Sequence, residues 1–409
     1  MSRALEGIRV LELCEIMQGP LAGQTLGDLG ADVIKVERGP NGDAMRLLDR
    51  AAVENGWVSS YFASLNRNKR SISLDLKTPG GMRVLHRLLE RTDVLIHNYR
   101  PDAVRRLGLS YADLVQRYPR LIYASASGYG PDGPMAHRPG QDMLAQSVSG
   151  LARAFAAPGR RSELNPTAQV DFASGMLLVQ GVLAALYERE RSGHGQEVTV
   201  NLLDTAVSMQ MMEVAAHTMY GEELNWVTQW YGGTFDTTDG VITVLGLFRP
   251  NALQRICTAL GIEDLSLRPE LATPELQARN RDIANEIIAP VVARLSTEEA
   301  LERLGSVDVL CAPQLTIQEA LRHPQVRHNG LLVEVDVADQ FRAQLIGYPV
   351  RLSRSPGTVR RPVPRLGQDT VEVLRELGLG AAEIDRLDDE GAIRRPVDRD
   401  AARHAAQYV

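Results

Sequence analysis

The spacing of apolar residues switches repeatedly between periods of two and 3.6 along the first 200 residues, and the switches mark the elements. Residues 8–13 read as a strand, and Gly19-Pro20 then turns into a helix that carries Leu21, Leu26 and Leu29 and stops at Gly30. Residues 32–37 form a second strand, so the chain opens with a β-α-β unit, which predicts parallel pairing and a right-handed crossover. Further strands are expected at 71–75, 93–97, 121–125 and 196–201. Helices separate them from Thr78-Pro79 through Leu89, at 101–107 and at 111–116. This alternation predicts a Rossmann-like parallel α/β sheet, with ligands held at the carboxyl ends of its strands.

The longest apolar run opens with Gln169-Val170-Asp171-Phe172-Ala173-Ser174-Gly175-Met176 and ends near Tyr187, as expected of a buried helix of about 15–20 residues. Its charged tail, Glu188 to Arg191, suits an emerging end. A carboxylate in the first turn has two readings. Asp171 either complements the helix dipole, or stands ionised beside a cleft as a nucleophile. The small neighbours Ala173, Ser174 and Gly175 leave room beside it.

A Met-rich helix is expected over 202–219, and then the texture changes. Trp226, Trp230, Tyr231, Gly232 and Gly233 crowd together, which places a boundary there: a large domain at 1–225, a smaller α+β domain at 226–330 and a C-terminal segment at 331–409. Within the second piece a hairpin turns at Asp239-Gly240, helices follow at 250–261, 275–294, 297–304 and 317–323, and residues 308–312 are strand-like. The last piece, broken by Pro349, Pro356, Pro362 and Pro364, carries helices at 369–377 and 381–387. Such a tail is expected to return to the first domain or wrap a partner subunit.

Charge narrows the function classes: 45 basic against 51 acidic residues give no electrostatic case for nucleic acid or an anionic membrane. No apolar stretch is read as a membrane span, and no signal peptide is read at the start. Cys14, Cys257 and Cys311 are too few and too scattered for a disulfide framework or zinc knuckle, which suits a reducing cytoplasm. Arg38, Lys77, Arg100, Arg105 and Arg106 follow strand ends and together suggest an anionic ligand. Gly128-Tyr129-Gly130-Pro131-Asp132-Gly133 matches G-x-G-x-x-G, but Pro131, Pro134 and Pro139 describe a loop rather than the helix a dinucleotide fingerprint needs. His97, His217 and His323 are scattered and read as structural, and no metal site is expected.

With these elements placed, the chain resembles the class III (CaiB/BaiF) CoA-transferases over essentially its whole length. The marks run in order: Gly7 to Leu13 with Gly19-Pro20, Leu29 to Glu37, Asn68 to Ile72 with Asp75 to Pro79, and Asn98 to Pro101. Gly128 to Pro134, Gln141 to Gln146 with Ser149-Gly150, Asp171 before Ser174-Gly175, Cys311-Ala312-Pro313 and Pro324-Gln325-Val326 complete the set. The resemblance implies that Asp171 is the nucleophile, attacking an acyl-CoA thioester to give an acyl–aspartyl anhydride and then an aspartyl-CoA thioester. It implies CoA contacts at Ile16, Met17, Arg38, Leu74, Lys77, Asn98, Tyr99 and Arg106. Gln141 and Asp142 match positions beside the reacting group, and Gly232-Gly233 matches a glycine-rich lid loop. It further implies an interlocked homodimer acting on an acyl-CoA and a carboxylic acid, with no cofactor because coenzyme A is itself a substrate.

Two alternatives stay open. The same fold includes α-methylacyl-CoA racemases, which need a second acid/base residue where this chain has Gln141, an amide unable to shuttle protons. The shortened glycine pair also leaves room for a non-catalytic acyl-CoA-binding paralogue. For the acyl group, Trp226, Trp230 and the Met cluster suggest an apolar pocket, whereas Arg160 and Arg161 suit a dicarboxylate.

Overall fold

The computed structural model describes residues 3–154, 162–225 and 229–395; Arg160, Arg161 and Trp226 lie outside the described residues. Its centre is a six-stranded, wholly parallel sheet built from β1 (Arg9–Leu13), β2 (Asp32–Glu37), β3 (Lys69–Ser73), β4 (Val94–His97), β5 (Ile122–Ser127) and β6 (Glu197–Asn201). The strand order is β3-β2-β1-β4-β5-β6, so the winding reverses between β1 and β4, where Leu13 lies beside His97. Loops leaving those two strands diverge to opposite sides and open a crevice.

Alternate residues of the strands feed two cores. Leu11, Leu13, Ile72, Leu95 and Tyr123 face one layer, with Leu85, Leu88 and Leu89 of helix α1 (Pro79–Leu89). Thr78 caps that helix, its Oγ1 accepting the Gly81 N–H at 3.0 Å, as the Thr-Pro start predicts. Val10, Val33, Val94, Ile96, Ile122 and Ala124 face the other layer, with Leu178, Val179 and Val182 of helix α2 (Gln169–Ser192). By length and composition α2 is apolar enough to cross a membrane, which amends the expectation that no stretch reaches that limit. Here it packs on the sheet through one buried face. It also runs to 24 residues, longer than expected, because its charged end is not simply solvated: Arg189 is buried and pairs with Asp93 at 3.0 Å.

Charges are buried among strands β1, β2 and β3. Glu12 lies fully buried between two equally buried lysines, 2.9 Å from Lys35 Nζ and 2.8 Å from Lys69 Nζ. Lys35 also reaches Asp43 at 2.9 Å and the Cys14 carbonyl at 2.6 Å, while Lys69 donates to Pro20 O and Asn66 Oδ1, each at 2.8 Å. Burial alone would lower Lys35, yet Glu12, Asp43 and Glu37 hold it above its ordinary value. Burial outweighs Glu12 at Lys69 and pushes that ammonium down to about 8. The helix Gln18–Asp28 passes directly over this cluster: a Cβ on Gly23 would stand 1.8 Å from Glu12 Oε2, so only glycine fits there.

The chain divides into two compact units, one of residues up to Met209 and from Leu331 on, the other Gln210–Gly330. The smaller has its own core, including Tyr231, Phe235, Ile242, Leu253, Ile256, Ile288 and Leu304. Its antiparallel sheet joins β7 (Gly232–Asp236), β8 (Val241–Leu245) and β9 (Leu310–Pro313). Three expectations change. The Met-rich 202–219 segment breaks at Met209 into Leu202–Ser208 and Met211–Tyr220, and the division between units falls at that break rather than at 225. The 275–294 helix breaks at Asn280 into Pro274–Arg279 and Arg281–Val292. Gly232 and Gly233, read as a lid loop, are the first residues of β7, paired with Leu245 and Val244.

The C-terminal segment packs within the larger unit. Its hairpin, β10 (Leu332–Val337) and β11 (Phe341–Ile346), is absent from the sequence reading although Val333, Val335 and Val337 alternate with acids. Beyond it, Asp369 Oδ2 accepts the Ser71 N–H at 2.8 Å, Glu376 pairs with Arg70 at 2.8 Å, and Ile393 bridges to Leu74. Removing one member of a buried charge cluster strands the others. Glu12→Ala should therefore lower unfolding free energy by about 3–5 kcal/mol in urea denaturation; a change below about 1 kcal/mol would show that the two lysines do not depend on it.

Candidate active site

The crevice at the sheet's reversal point holds two adjoining cavities. One, of about 530 Å³, is lined by Arg38, Leu74, Lys77, Tyr99, Arg106 and their neighbours. Its cations are exposed at the rim, Arg38 58 % so and paired with Asp75 at 3.5 Å, an arrangement that suits an anionic ligand. Its floor is apolar, from Val36, Leu74, Leu76 and Leu107. The other cavity, of about 320 Å³, is lined by Ile16, Met17, Gln18, Asn98, Gln141, Asp142 and Asp171, with backbone around Ser127 and Gly140. Neighbours in sequence divide between them: Glu15 lines the first and Ile16 the second, Tyr99 the first and Asn98 the second.

The loop between β1 and the following helix is clamped into this position. Asn98 spans it, its Oδ1 accepting the Glu15 N–H at 3.1 Å and its Nδ2 donating to Glu15 O at 2.7 Å. Ile16 has φ +71°, a left-handed conformation that a β-branched residue adopts only under constraint. The constraint is its N–H, held by Asp43 Oδ1 at 3.1 Å, and Asp43 belongs to the buried charge cluster. At Gly175 a Cβ would stand 2.8 Å from Gln18 O, so α2 approaches the loop closely one turn after Asp171.

Two helix starts converge on two carboxylates. Asp142 is the first residue of the helix Asp142–Val148 and is buried. Its Oδ2 accepts the N–H groups of Val170 and Asp171 at 2.7 and 2.9 Å, and its Oδ1 accepts Gln146 Nε2 at 2.5 Å. Asp142 thereby caps α2, whose own cap position, Ala168, provides no side-chain acceptor. Asp171 itself is not the cap; among the described residues no donor is spent on its carboxylate. Burial, then the charge of Asp142, pushes it up to about 7. The dipole reading of Asp171 thus transfers to Asp142, and Asp171 is left facing the cavity. A desolvated carboxylate with uncommitted oxygens is a competent nucleophile once ionised.

All eight residues expected to contact CoA line one or other cavity, and Gln141 and Asp142 lie with Asp171. Gly232 and Gly233 belong to the other unit, in a paired strand. The glycine-rich stretch 128–133 is a loop, as its prolines predict, with Gly130 N–H donating to Ser127 Oγ at 3.0 Å. His97 is buried against Tyr123, ring centres 4.9 Å apart, and burial pushes it down to about 4, which keeps it neutral. The sequence reading chose Met17 and passed over Gln18, whose polarity one position along was the available signal.

A parallel α/β sheet with one cation-rimmed cavity and a second that holds a half-buried carboxylate is an arrangement able to take an anionic ligand beside a nucleophile. The chain belongs to CoA-transferase family III, which it matches over residues 5–370. It is 33 % identical to the succinyl-CoA:glutarate CoA-transferase of Mus musculus, covering 92 % of this chain and 86 % of that protein. It is likewise 33 % identical to the formyl-CoA:oxalate CoA-transferase of Rhodopseudomonas palustris (strain TIE-1), over 97 % and 99 %. Among solved structures, a CaiB/BaiF family protein from Brucella suis superposes with a TM-score of 0.82 at 28 % identity, covering 92 % of this chain and all of that one. The protein is a class III CoA-transferase.

The raised Asp171 fixes a pH signature. Its folded value of about 7 exceeds the ordinary 3.8, so between those values the folded state holds the extra proton and stability falls as pH rises through that window. Asp171→Asn should therefore melt at a higher temperature than the parent near about pH 8, with the gap closing toward about pH 4. A pH-independent gap would mean that Asp171 ionises as an ordinary carboxylate.

Proposed function

We propose that the enzyme moves CoA from an acyl-CoA donor to a carboxylic acid through covalent intermediates on Asp171. A carboxylate oxygen of Asp171 attacks the thioester carbonyl; the C–O bond forms, the C–S bond breaks, and CoA leaves as thiolate. The thiolate attacks the aspartyl carbonyl of the mixed anhydride and expels the first acid as carboxylate, leaving an aspartyl-CoA thioester. An acceptor carboxylate repeats both steps in reverse and restores Asp171. No net proton is consumed, and the thioester's energy is retained in each intermediate.

The observation that carries this reading is the uncommitted, half-buried Asp171 carboxylate at the end of a crevice able to take CoA. Arg38, Lys77 and Arg106 hold the phosphates, Leu74 and Tyr99 the adenine end, and the Ile16–Met17 loop with Asn98 the inner arm. Burial serves the chemistry twice: it strips water from the nucleophile and protects the anhydride from hydrolysis. Gln141 stands at the cavity rim where α-proton exchange would need an acid or base, which favours transfer over racemisation.

For substrates, the two relatives are named for succinate and glutarate and for formate and oxalate. We extend this to a short dicarboxylate as acceptor or donor acid, and to a homodimer as the working assembly, which light scattering of the purified protein will check. A mass-spectrometric screen of acyl-CoA donors against mono- and dicarboxylates should show dicarboxylates exchanging fastest; a preference for long monocarboxylates would overturn that choice.

Asp171→Ala should lower exchange by at least about 10⁴-fold while CoA still binds in calorimetry. In the parent, kcat/KM should rise with pH up to about 7 as Asp171 ionises, and then level. Retained exchange in Asp171→Ala would dismiss the nucleophile. Deuterium entering the α-carbon of a 2-methylacyl-CoA, with no CoA exchanged, would assign a racemase instead.

A further inference from the structure

Gln18, a residue lining the cavity around Asp171, carries a buried hydrogen-bond donor with no partner among the described residues. The residue is only 5 % exposed, and the donor is its Nε2. A buried amide donor left unpaired costs about 1–3 kcal/mol, so its persistence asks for a partner that arrives with the substrate. Two amides nearby are already engaged, while Gln141 is exposed and Gln169 does not line this cavity. Asn98 bonds Glu15 through both of its side-chain atoms, and Gln146 Nε2 is held by Asp142.

The backbone fixes where Gln18 stands. It is the first residue of the helix Gln18–Asp28, directly after the clamped Glu15–Met17 loop, and its carbonyl meets α2 at Gly175. The side chain therefore leaves from a rigid point one turn of α2 away from Asp171. Met17, at the position where the resemblance places a CoA contact, offers only a thioether, a weak acceptor with no proton to give.

We propose that Gln18 donates, through Nε2, to the oxygen of the acyl group that Asp171 attacks. This rests on the covalent reading above and deepens it. When the Asp171 oxygen adds to the thioester carbon, the carbonyl π electrons move onto oxygen; the Gln18 N–H meets that oxyanion until it collapses and expels the thiolate. The same donor serves the return attack by the acceptor acid on the aspartyl-CoA thioester. Because the charge develops only during the reaction, Gln18 acts on turnover more than on binding.

The test compares Gln18→Leu and Gln18→Glu with the parent and with Asp171→Ala, in steady-state exchange and in calorimetric titration with CoA. Gln18→Leu should lower kcat by about 10²–10³-fold, with KM for acyl-CoA within about threefold and the rise of kcat/KM toward pH 7 kept. Gln18→Glu, of the same shape but bearing an acceptor and a negative charge, should lose at least as much. The Glu variant keeps the proposal testable should Leu fail to fold. Parent-like kcat in either folded variant, or a loss wholly in KM, overturns the role of Gln18. If Asp171→Ala is inactive in the same experiment, the covalent reading survives that result; if Asp171→Ala retains exchange, both readings fall together.

Discussion

A carboxylate shut inside a sheet with two lysines is the constraint from which the rest follows. Glu12 cannot be solvated, so Lys35 and Lys69 must stay with it, and Lys35 in turn fixes Asp43. Asp43 then holds the Ile16 N–H and with it a backbone conformation that isoleucine would not adopt freely. Buried ion pairs are poor sources of net stability, because desolvation offsets most of the attraction. What this cluster provides is position. It sets the loop that separates the cation-rimmed cavity from the one holding Asp171, at the point where the strand order reverses.

A second constraint acts on the other wall. Asp142 takes the N–H groups that start α2, which frees Asp171 from capping while keeping a negative charge nearby. The arrangement opposes two effects. Helix starts favour anions, yet burial and like charge raise Asp171 to about 7. A carboxylate with that value is more nucleophilic than an ordinary one and still substantially ionised near neutrality. Gly175 completes the wall by letting α2 close onto Gln18 O, so the two walls meet at a distance only glycine permits.

Much of this was legible in the residues. The β-α-β alternation gave the sheet because parallel strands buried on both faces read as short apolar runs between helices. Asp171 stood out through its place at the mouth of the longest apolar run, and the cationic positions through their placement after strand ends. The misses share a cause, which is that local pattern does not report tertiary partners. Gly232-Gly233 was matched to a lid loop by resemblance, whereas pairing with Leu245 and Val244 makes it a strand. Met209 and Asn280 interrupt helices that apolar spacing carried straight through. The buried state of Lys35, Lys69 and Gln18 was invisible, since polar residues are expected outside unless a partner is known.

The mechanism stands on a covalent bond between the substrate's acyl group and one aspartate oxygen. The most direct measurement is peptide mapping by mass spectrometry after incubating the protein with acyl-CoA and quenching with hydroxylamine. The account requires a hydroxamate on Asp171, formed with donor and diminished by excess acceptor acid. An unmodified Asp171 during active exchange, or a hydroxamate on another residue, would contradict it.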